Sequence, residues 1–273
     1  MTIVVGVAAP DGIILAADSR TTLTFGERHR IGSDFAQKVF PICETIAVAT
    51  YGWAFIGGRT IAGLMDEFVA QLDDQIPSEA SAIAEQLGTF FDAKVNDGVE
   101  PEQLEELKAQ GLYPLGFLVA GYDADGIGRI HEVALPGPYI AEAEGINTAN
   151  LGIMYRGQIA VVRRLLEGID RDELAVANAE IPAELEPALG NLTYNLLFPM
   201  TLQDAVDCAA FIIRTTIDMQ RFSDGTLGRM GELPGCGGPI RILATTRAGV
   251  EWVADAPLTG ATAPGIAEGG ARV

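Results

Sequence analysis

Two apolar runs at the start of the chain restrict its fold more than any other stretch. Ile3-Val4-Val5-Gly6-Val7 is short, rich in β-branched residues and uninterrupted, which reads as a buried strand. Asp11-Gly12 is a hairpin signal, and Ile13-Ile14-Leu15-Ala16-Ala17 returns as a second strand ending in Asp18-Ser19-Arg20. A hairpin this apolar requires a core large enough to cover it. The chain has 273 residues, 48% hydrophobic and 20% charged, so it can build that core and is not disordered as a whole.

The rest of the chain alternates between strand and helix periods. Residues 19–37 read as a polar loop, and 38–42 and 45–50 as two more strands. Gly52 and Gly57-Gly58 mark the loop that opens a helix over 60–72, with Ile61, Leu64, Met65, Phe68, Val69 and Leu72 on one face. A second helix starts at Pro77-Ser78 and reaches about residue 95, and a short acidic helix covers 101–109. Strands return over 115–122 and 128–134, with weaker ones over 139–143 and 147–151. A helix is expected over 154–167, and another segment, 172–180, reads as helical. Thr201 with Asp204 three residues on is an N-cap signal for a helix running to about residue 220. Residues 222–236 form a glycine-rich loop, and two final strands cover 240–245 and 250–254. Strands, helices, strands, helices, strands is the order expected if two antiparallel sheets stack between helical layers, and the pattern alone supports the class α+β.

Composition excludes several function classes. Net charge is −19, from 37 acidic against 18 basic residues, a balance that repels nucleic-acid phosphates and anionic lipid. Cys43, Cys208 and Cys236 are odd in number and widely spaced, which fits a reducing cytoplasm without a disulfide frame or a zinc site. No basic segment leads into an apolar one at the start, so no signal peptide is expected. Glu186, Pro187 and Pro199 break the apolar stretch 185–203, which argues against a membrane span. His29 and His131 are the only histidines, and both are read as surface residues. Asp123-Ala124-Asp125-Gly126 hints at a calcium loop but lacks the continuing acidic ladder, so it reads as a turn. Gly152 to Gly157 lacks the Gly-Lys-Ser/Thr of a phosphate loop. No metal or organic cofactor is expected.

Thr2 carries the candidate chemistry. It is small enough to follow a trimmed initiator methionine, and it would then hold a free α-amine beside its own hydroxyl. An α-amine titrates at roughly 7.7–8.0, so it can act as a base near neutrality. A threonine hydroxyl beside such an amine is an activated nucleophile. A nearby ammonium would favour the neutral amine, and Lys38 is the first lysine in the chain. A partly buried lysine calls for a carboxylate, which Asp18 can supply from the neighbouring strand end. Taken singly, Asp18 also reads as a turn cap and Lys38 as a solvated strand residue.

Thr2-Ile3-Val4-Val5-Gly6-Val7, Asp11-Gly12, Ala16-Ala17-Asp18-Ser19-Arg20, Gln37-Lys38-Val39-Phe40 and Ala47-Val48-Ala49-Thr50-Tyr51-Gly52 together resemble the proteasome β-type subunits and their bacterial relatives, among the N-terminal-nucleophile hydrolases. The spacings from Thr2 to Asp18 and from Lys38 to Gly52 match that family without a gap. Between Arg20 and Lys38 this chain is a few residues longer. The resemblance implies a four-layer αββα sandwich and a single domain over 1–257, with an insertion at about 170–200 and a flexible Gly/Ala-rich tail at 258–273. It implies hydrolysis of a peptide or amide bond through an acyl-enzyme on Thr2. Thr2, Asp18, Lys38 and Gly52 would be the catalytic residues, Lys38 tuning the amine, Asp18 holding Lys38 and Gly52 donating to the oxyanion. Arg20, Thr22 and Ser223 would be the supporting or substrate-binding residues. It also implies self-assembly into a ring or open spiral. The sequence departs from the family in two places. The family's Ser-Gly-Ser-like turn corresponds to Leu151-Gly152-Ile153-Met154, which has no serine. The family's late Asp…Ser pair has only shifted counterparts in Asp218, Ser223 and Asp224, with Cys236-Gly237-Gly238 standing at its serine-and-glycines end. Two further readings stay open: a proteasome-like scaffold without turnover, and a small-molecule amidase.

Overall fold

The computed structural model describes residues 2–25, 28–72, 76–176, 179, 181–196, 198–225, 231 and 233–255. The N-terminal hairpin forms as its sequence requires. β1 (Ile3–Ala9) and β2 (Gly12–Ala17) pair antiparallel with Gly6 opposite Leu15. They are the interior of a five-stranded antiparallel sheet completed by β12 (Gly152–Gly157), β13 (Arg241–Thr246) and β14 (Gly249–Ala254), in the order β12-β1-β2-β13-β14. A second antiparallel sheet is built from β5 (Val39–Pro41), β6 (Ala47–Gly52), β9 (Leu115–Tyr122), β10 (Gly128–Leu135) and β11 (Tyr139–Asn147), in the order β11-β10-β9-β6-β5. The chain is an α+β protein with antiparallel sheets.

Every residue of β1 and β2 is buried, and the period of two divides them between two cores. Ile3, Val5, Val7, Ile14 and Ala16 pack with Val162 and Leu166 of α4 (Ala160–Leu166) and with Ala209, Ile212 and Ile213 of α7 (Leu202–Phe222). Val4, Ala8, Ile13, Leu15 and Ala17 face the other way, against Ala47, Ala49, Leu118, Ala120 and Ile130 of the second sheet. Gly6 belongs to that contact, since a Cβ there would lie 2.9 Å from Cδ1 of Ile130. The opposite face of the second sheet, including Val48, Phe117, Val119 and Val133, packs on α1 (Ile61–Leu72) and α2 (Ala80–Gly98). The acidic helix α3 (Pro101–Ala109) has the bounds its sequence predicts. α7 starts with a complete capping box, in which the Thr201 hydroxyl accepts from Asp204 N and the Asp204 carboxylate accepts from Thr201 N.

Several expectations are corrected. Residues 19–37 contain a hairpin, β3 (Thr21–Phe25) and β4 (Arg28–Ser33), where a loop was expected. Gly57-Gly58 turns a second small hairpin between β7 (Phe55–Ile56) and β8 (Arg59–Thr60). The helix expected over 154–167 begins only at Ala160, because residues 152–157 pair with β1, Val5 opposite Tyr155. Ile153 and Tyr155 face the α7 core while Met154 is buried between the sheets, a strand alternation obscured by the apolar helix that follows. Two weak strands over 139–151 are one strand, β11, with an irregularity opposite Arg129 and His131. His131 is buried in β10, with Nε2 3.5 Å from Asp123, and is not a surface residue. Asp123 to Gly126 forms the expected turn, in which the Asp125 carboxylate accepts from Ile127 N and from Arg129.

The segment 170–200 carries α5 (Arg171–Val176), a 3-10 turn (Ala183–Leu185) and α6 (Glu186–Gly190), tied together by a bidentate Arg171–Glu186 pair. Leu196, Phe198 and Met200 pack on the α7 core. Among the described residues, no helix is long and apolar enough to cross a membrane. The tail 258–273 lies outside the described residues.

Candidate active site

Thr2 immediately precedes β1 and is buried. A cavity of about 120 Å³ is lined by Thr2 together with Lys38, Gly52, Arg20, Thr21 and Thr50, and by Tyr51, Trp53, Phe55 and Ile61. The sequence-predicted residues Thr2, Lys38, Gly52 and Arg20 therefore share one cavity, although 50 positions separate the first from the third.

Asp18, at the end of β2, is 1% exposed and holds this corner together. Its Oδ1 accepts from Lys38 Nζ at 2.8 Å and from Ile3 N at 3.1 Å. Its Oδ2 accepts from Arg20 N at 3.1 Å and Gly237 N at 3.0 Å. A buried carboxylate with an ammonium and three backbone donors is well compensated for its loss of water. Lys38 precedes β5 and is also buried, and its ammonium donates to the Arg20 carbonyl at 2.6 Å as well. These bonds hold the cation in place beside the cavity that Thr2 lines. The solvated-lysine reading fails on this geometry, while Asp18 both caps the turn to Arg20 N and holds Lys38.

Gly52 ends β6 with φ of +90°, and a Cβ there would lie 2.0 Å from the Pro114 carbonyl oxygen. Only glycine fits this bend. Arg20 does not reach across the cavity. Its guanidinium is bound to both oxygens of Asp34, at 2.6 and 3.1 Å, and to the Pro234 carbonyl at 3.3 Å. The Asp34 hydrogen bond holds the arginine above its usual pKa. Arg20 thus joins the segment after β4 to the one before β13. Thr22 sits outside this cavity, on a wider depression of about 660 Å³ that shares Gly52, Trp53, Ala54 and Phe55 with it.

Ser223 lies apart from this cavity. It is the exposed C-cap of α7, where its hydroxyl donates to the Met219 carbonyl at 2.6 Å, and it does not line the cavity. Asp218 is paired with Arg214 one turn back on the same helix. The stretch matched to the family's serine turn, residues 151–154, lies further along β12 and does not reach Thr2. Gly157 and Gln158 stand there instead: Gln158 N donates to the Thr2 carbonyl at 2.7 Å, and a Cβ on Gly157 (φ +90°) would lie 2.0 Å from that oxygen. Cys236 is buried beside Asp18, and burial followed by the Asp18 charge pushes its thiol well above the ordinary range. It stays a protonated thiol and a poor nucleophile at neutral pH.

Sequence reasoning also missed Glu132 and Arg156, which hold Tyr51. The Tyr51 hydroxyl donates to Glu132 Oε1 at 2.5 Å, and Arg156 binds both Glu132 oxygens at 2.6 Å. Burial and the Glu132 bond raise the Tyr51 pKa, so it remains a phenol. The three come from β6, β10 and β12, and so join the two sheets beside the cavity. The lack of a side chain on Gly116 makes room for the ring, since a Cβ there would meet Tyr51 at 2.2 Å. The alternation within β10 and β12 does not reveal that Glu132 and Arg156 meet.

Among the described residues, no group of three or more His, Cys, Asp and Glu side chains is placed to hold a metal ion. The chain is 28% identical over 158 residues to the protein described as "Proteasome subunit beta" of Nanoarchaeum equitans (strain Kin4-M), a match covering 53% of this chain and 68% of that relative. No family model matches the chain. The likeness supports a proteasome-like family.

Proposed function

We propose that this chain is a threonine-type N-terminal-nucleophile hydrolase acting on a peptide or amide bond once Met1 has been removed. The observation that carries the reading is the burial of the Lys38–Asp18 pair, 2.8 Å apart, against a cavity that Thr2, Lys38 and Gly52 line together. In this reading the Thr2 amine takes the proton of the Thr2 hydroxyl as its oxygen attacks the substrate carbonyl. Lys38, held by Asp18 and the Arg20 carbonyl, favours the neutral amine and the developing oxyanion by its positive charge. The Gly52 backbone supplies the oxyanion donor. Collapse of the tetrahedral intermediate releases the amine product, which takes the proton, and leaves an ester on Thr2. Water, activated by the same amine, hydrolyses that ester and restores the hydroxyl.

The three apolar clusters, helices against sheet, sheet against sheet and sheet against helices, support the four-layer αββα sandwich. We extend the reading to one domain over 1–257 with an insertion at about 170–200, to cytoplasmic residence, and to self-assembly, which the relative's description as a subunit supports.

The test is intact mass of protein purified from its own cells, before and after an electrophile that bridges a threonine hydroxyl and its α-amine. Loss of Met1 with stoichiometric labelling at Thr2 is the expected outcome. Retention of Met1 without labelling would overturn the reading and leave a scaffold subunit. Profiling peptides against small acyl amides then separates a peptidase from an amidase.

A further inference from the structure

The carbonyl of Thr2 is the first link of a closed hydrogen-bonded circuit. It accepts from Gln158 N at 2.7 Å. The Gln158 side-chain oxygen accepts from Gln220 Nε2, near the end of α7, at 3.4 Å. Gln220 Oε1 accepts from Cys236 N at 2.8 Å. The next residue, Gly237, donates its N–H to Asp18 Oδ2 at 3.0 Å and accepts from Ser19 N at 2.9 Å. Asp18 Oδ1 closes the circuit by accepting from Ile3 N, one residue after Thr2. The donor and acceptor directions are fixed by chemistry. Cys236 N can only donate, so Gln220 must present its oxygen there and its amide nitrogen to Gln158.

We infer that Gln158 and Gln220 are positioning residues: a neutral pair of carboxamides that clamps the Thr2 main chain between β12, α7 and the 236–237 segment, and does so without putting a carboxylate on the residue bonded to Thr2. The inference rests on the proposed role of Thr2 for its purpose, but its geometry stands apart from turnover. A carboxylate on residue 158, whose N–H holds the Thr2 carbonyl, would favour the unreactive ammonium form of the amine. A carboxamide holds the same bonds and leaves that amine under the influence of Lys38.

The substitution Gln158→Glu tests the charge, because a carboxylate at 158 still accepts from Gln220 Nε2 and leaves the circuit closed. Gln220→Met tests the clamp, because an unbranched side chain of similar length makes neither bond. Both are read in the full chain with Met1 removed, by NMR. In Gln158→Glu the Thr2 amine titrates about 0.5–1 pH unit higher than in the parent. In Gln220→Met its titration stays where it was, but the Gln158 amide exchanges with solvent roughly ten times faster, because local opening becomes easier. A merely structural role for Gln158 leaves the amine titration unchanged in Gln158→Glu, and that result overturns the charge argument. An unchanged Gln158 exchange rate in Gln220→Met overturns the clamp. Labelling of the parent protein by the threonine-directed electrophile is scored separately. Its failure removes the proposed function, while the two NMR readouts still decide the circuit.

Discussion

Replacing Lys38 by Met removes one cation from the most enclosed ion pair described in the chain. Asp18 is 1% exposed and Lys38 6% exposed, so water cannot take the place of the lost ammonium. Breaking a buried pair by removing one partner destabilises by about 3–5 kcal/mol. Asp18 keeps its bonds from Ile3, Arg20 and Gly237 N–H groups, which places Lys38→Met near the lower end, about 3 kcal/mol. For a chain of this size that is a fall of roughly 5 °C in Tm. The double variant Asp18→Asn with Lys38→Met leaves no buried charge unpaired but sets an amide NH2 against the N–H of Ile3 or those of Arg20 and Gly237, so the pair is read from its coupling, about 1–3 kcal/mol in a double-mutant cycle. Urea denaturation measures the stabilities, and mass spectrometry of electrophile-treated protein follows Thr2. Lys38→Met should also abolish labelling. A Lys38→Met protein within 0.5 kcal/mol of the parent, about the scatter of a surface substitution, would refute the claim that burial makes this pair matter. Labelling at the parent rate would refute the role of its charge.

Gly157→Ala should destabilise by more than about 1 kcal/mol and suppress labelling, because its Cβ meets the Thr2 carbonyl at 2.0 Å in a left-handed backbone; a crystal structure showing Thr2 unmoved would count against this. Ser223→Ala should leave labelling of Thr2 unchanged and alter stability by no more than about 0.5 kcal/mol, since the hydroxyl serves only an exposed helix end. Burial, then the Glu167 bond, raises the Tyr155 phenol to about 12. The folded state therefore holds this proton more tightly than the unfolded one, whose tyrosine titrates at about 10, and the stabilisation present below pH 10 is lost as pH rises toward 12. Tyr155→Phe should flatten stability between those two values in denaturation series across pH. Thr201→Ala removes the acceptor of a capping box and should lower stability by about 1 kcal/mol, measured by thermal melting.

The features that the sequence by itself determined are local. The hairpin at 3–17 follows from two apolar runs around Asp11-Gly12, α3 from Pro101 and its acidic first turn, and the start of α7 from Thr201 and Asp204. Thr2, Asp18, Lys38 and Gly52 were legible because they lie within 52 residues at fixed spacing on strands whose ends define one edge. Tertiary structure decided what meets them. Sheet order put β12 beside β1, and with it Gly157 and Gln158 at Thr2. Helix packing brought Gln220 to Cys236, and the facing of the two sheets brought Glu132 and Arg156 to Tyr51. The same packing buried His131 and left Ser223 at an exposed helix end. A strand period of two tells which residues share a face but not which strand lies alongside, and a helix period tells which stripe is apolar but not what its polar ends reach. Those choices belong to contacts between separate elements, whose geometry exists only once the layers have packed.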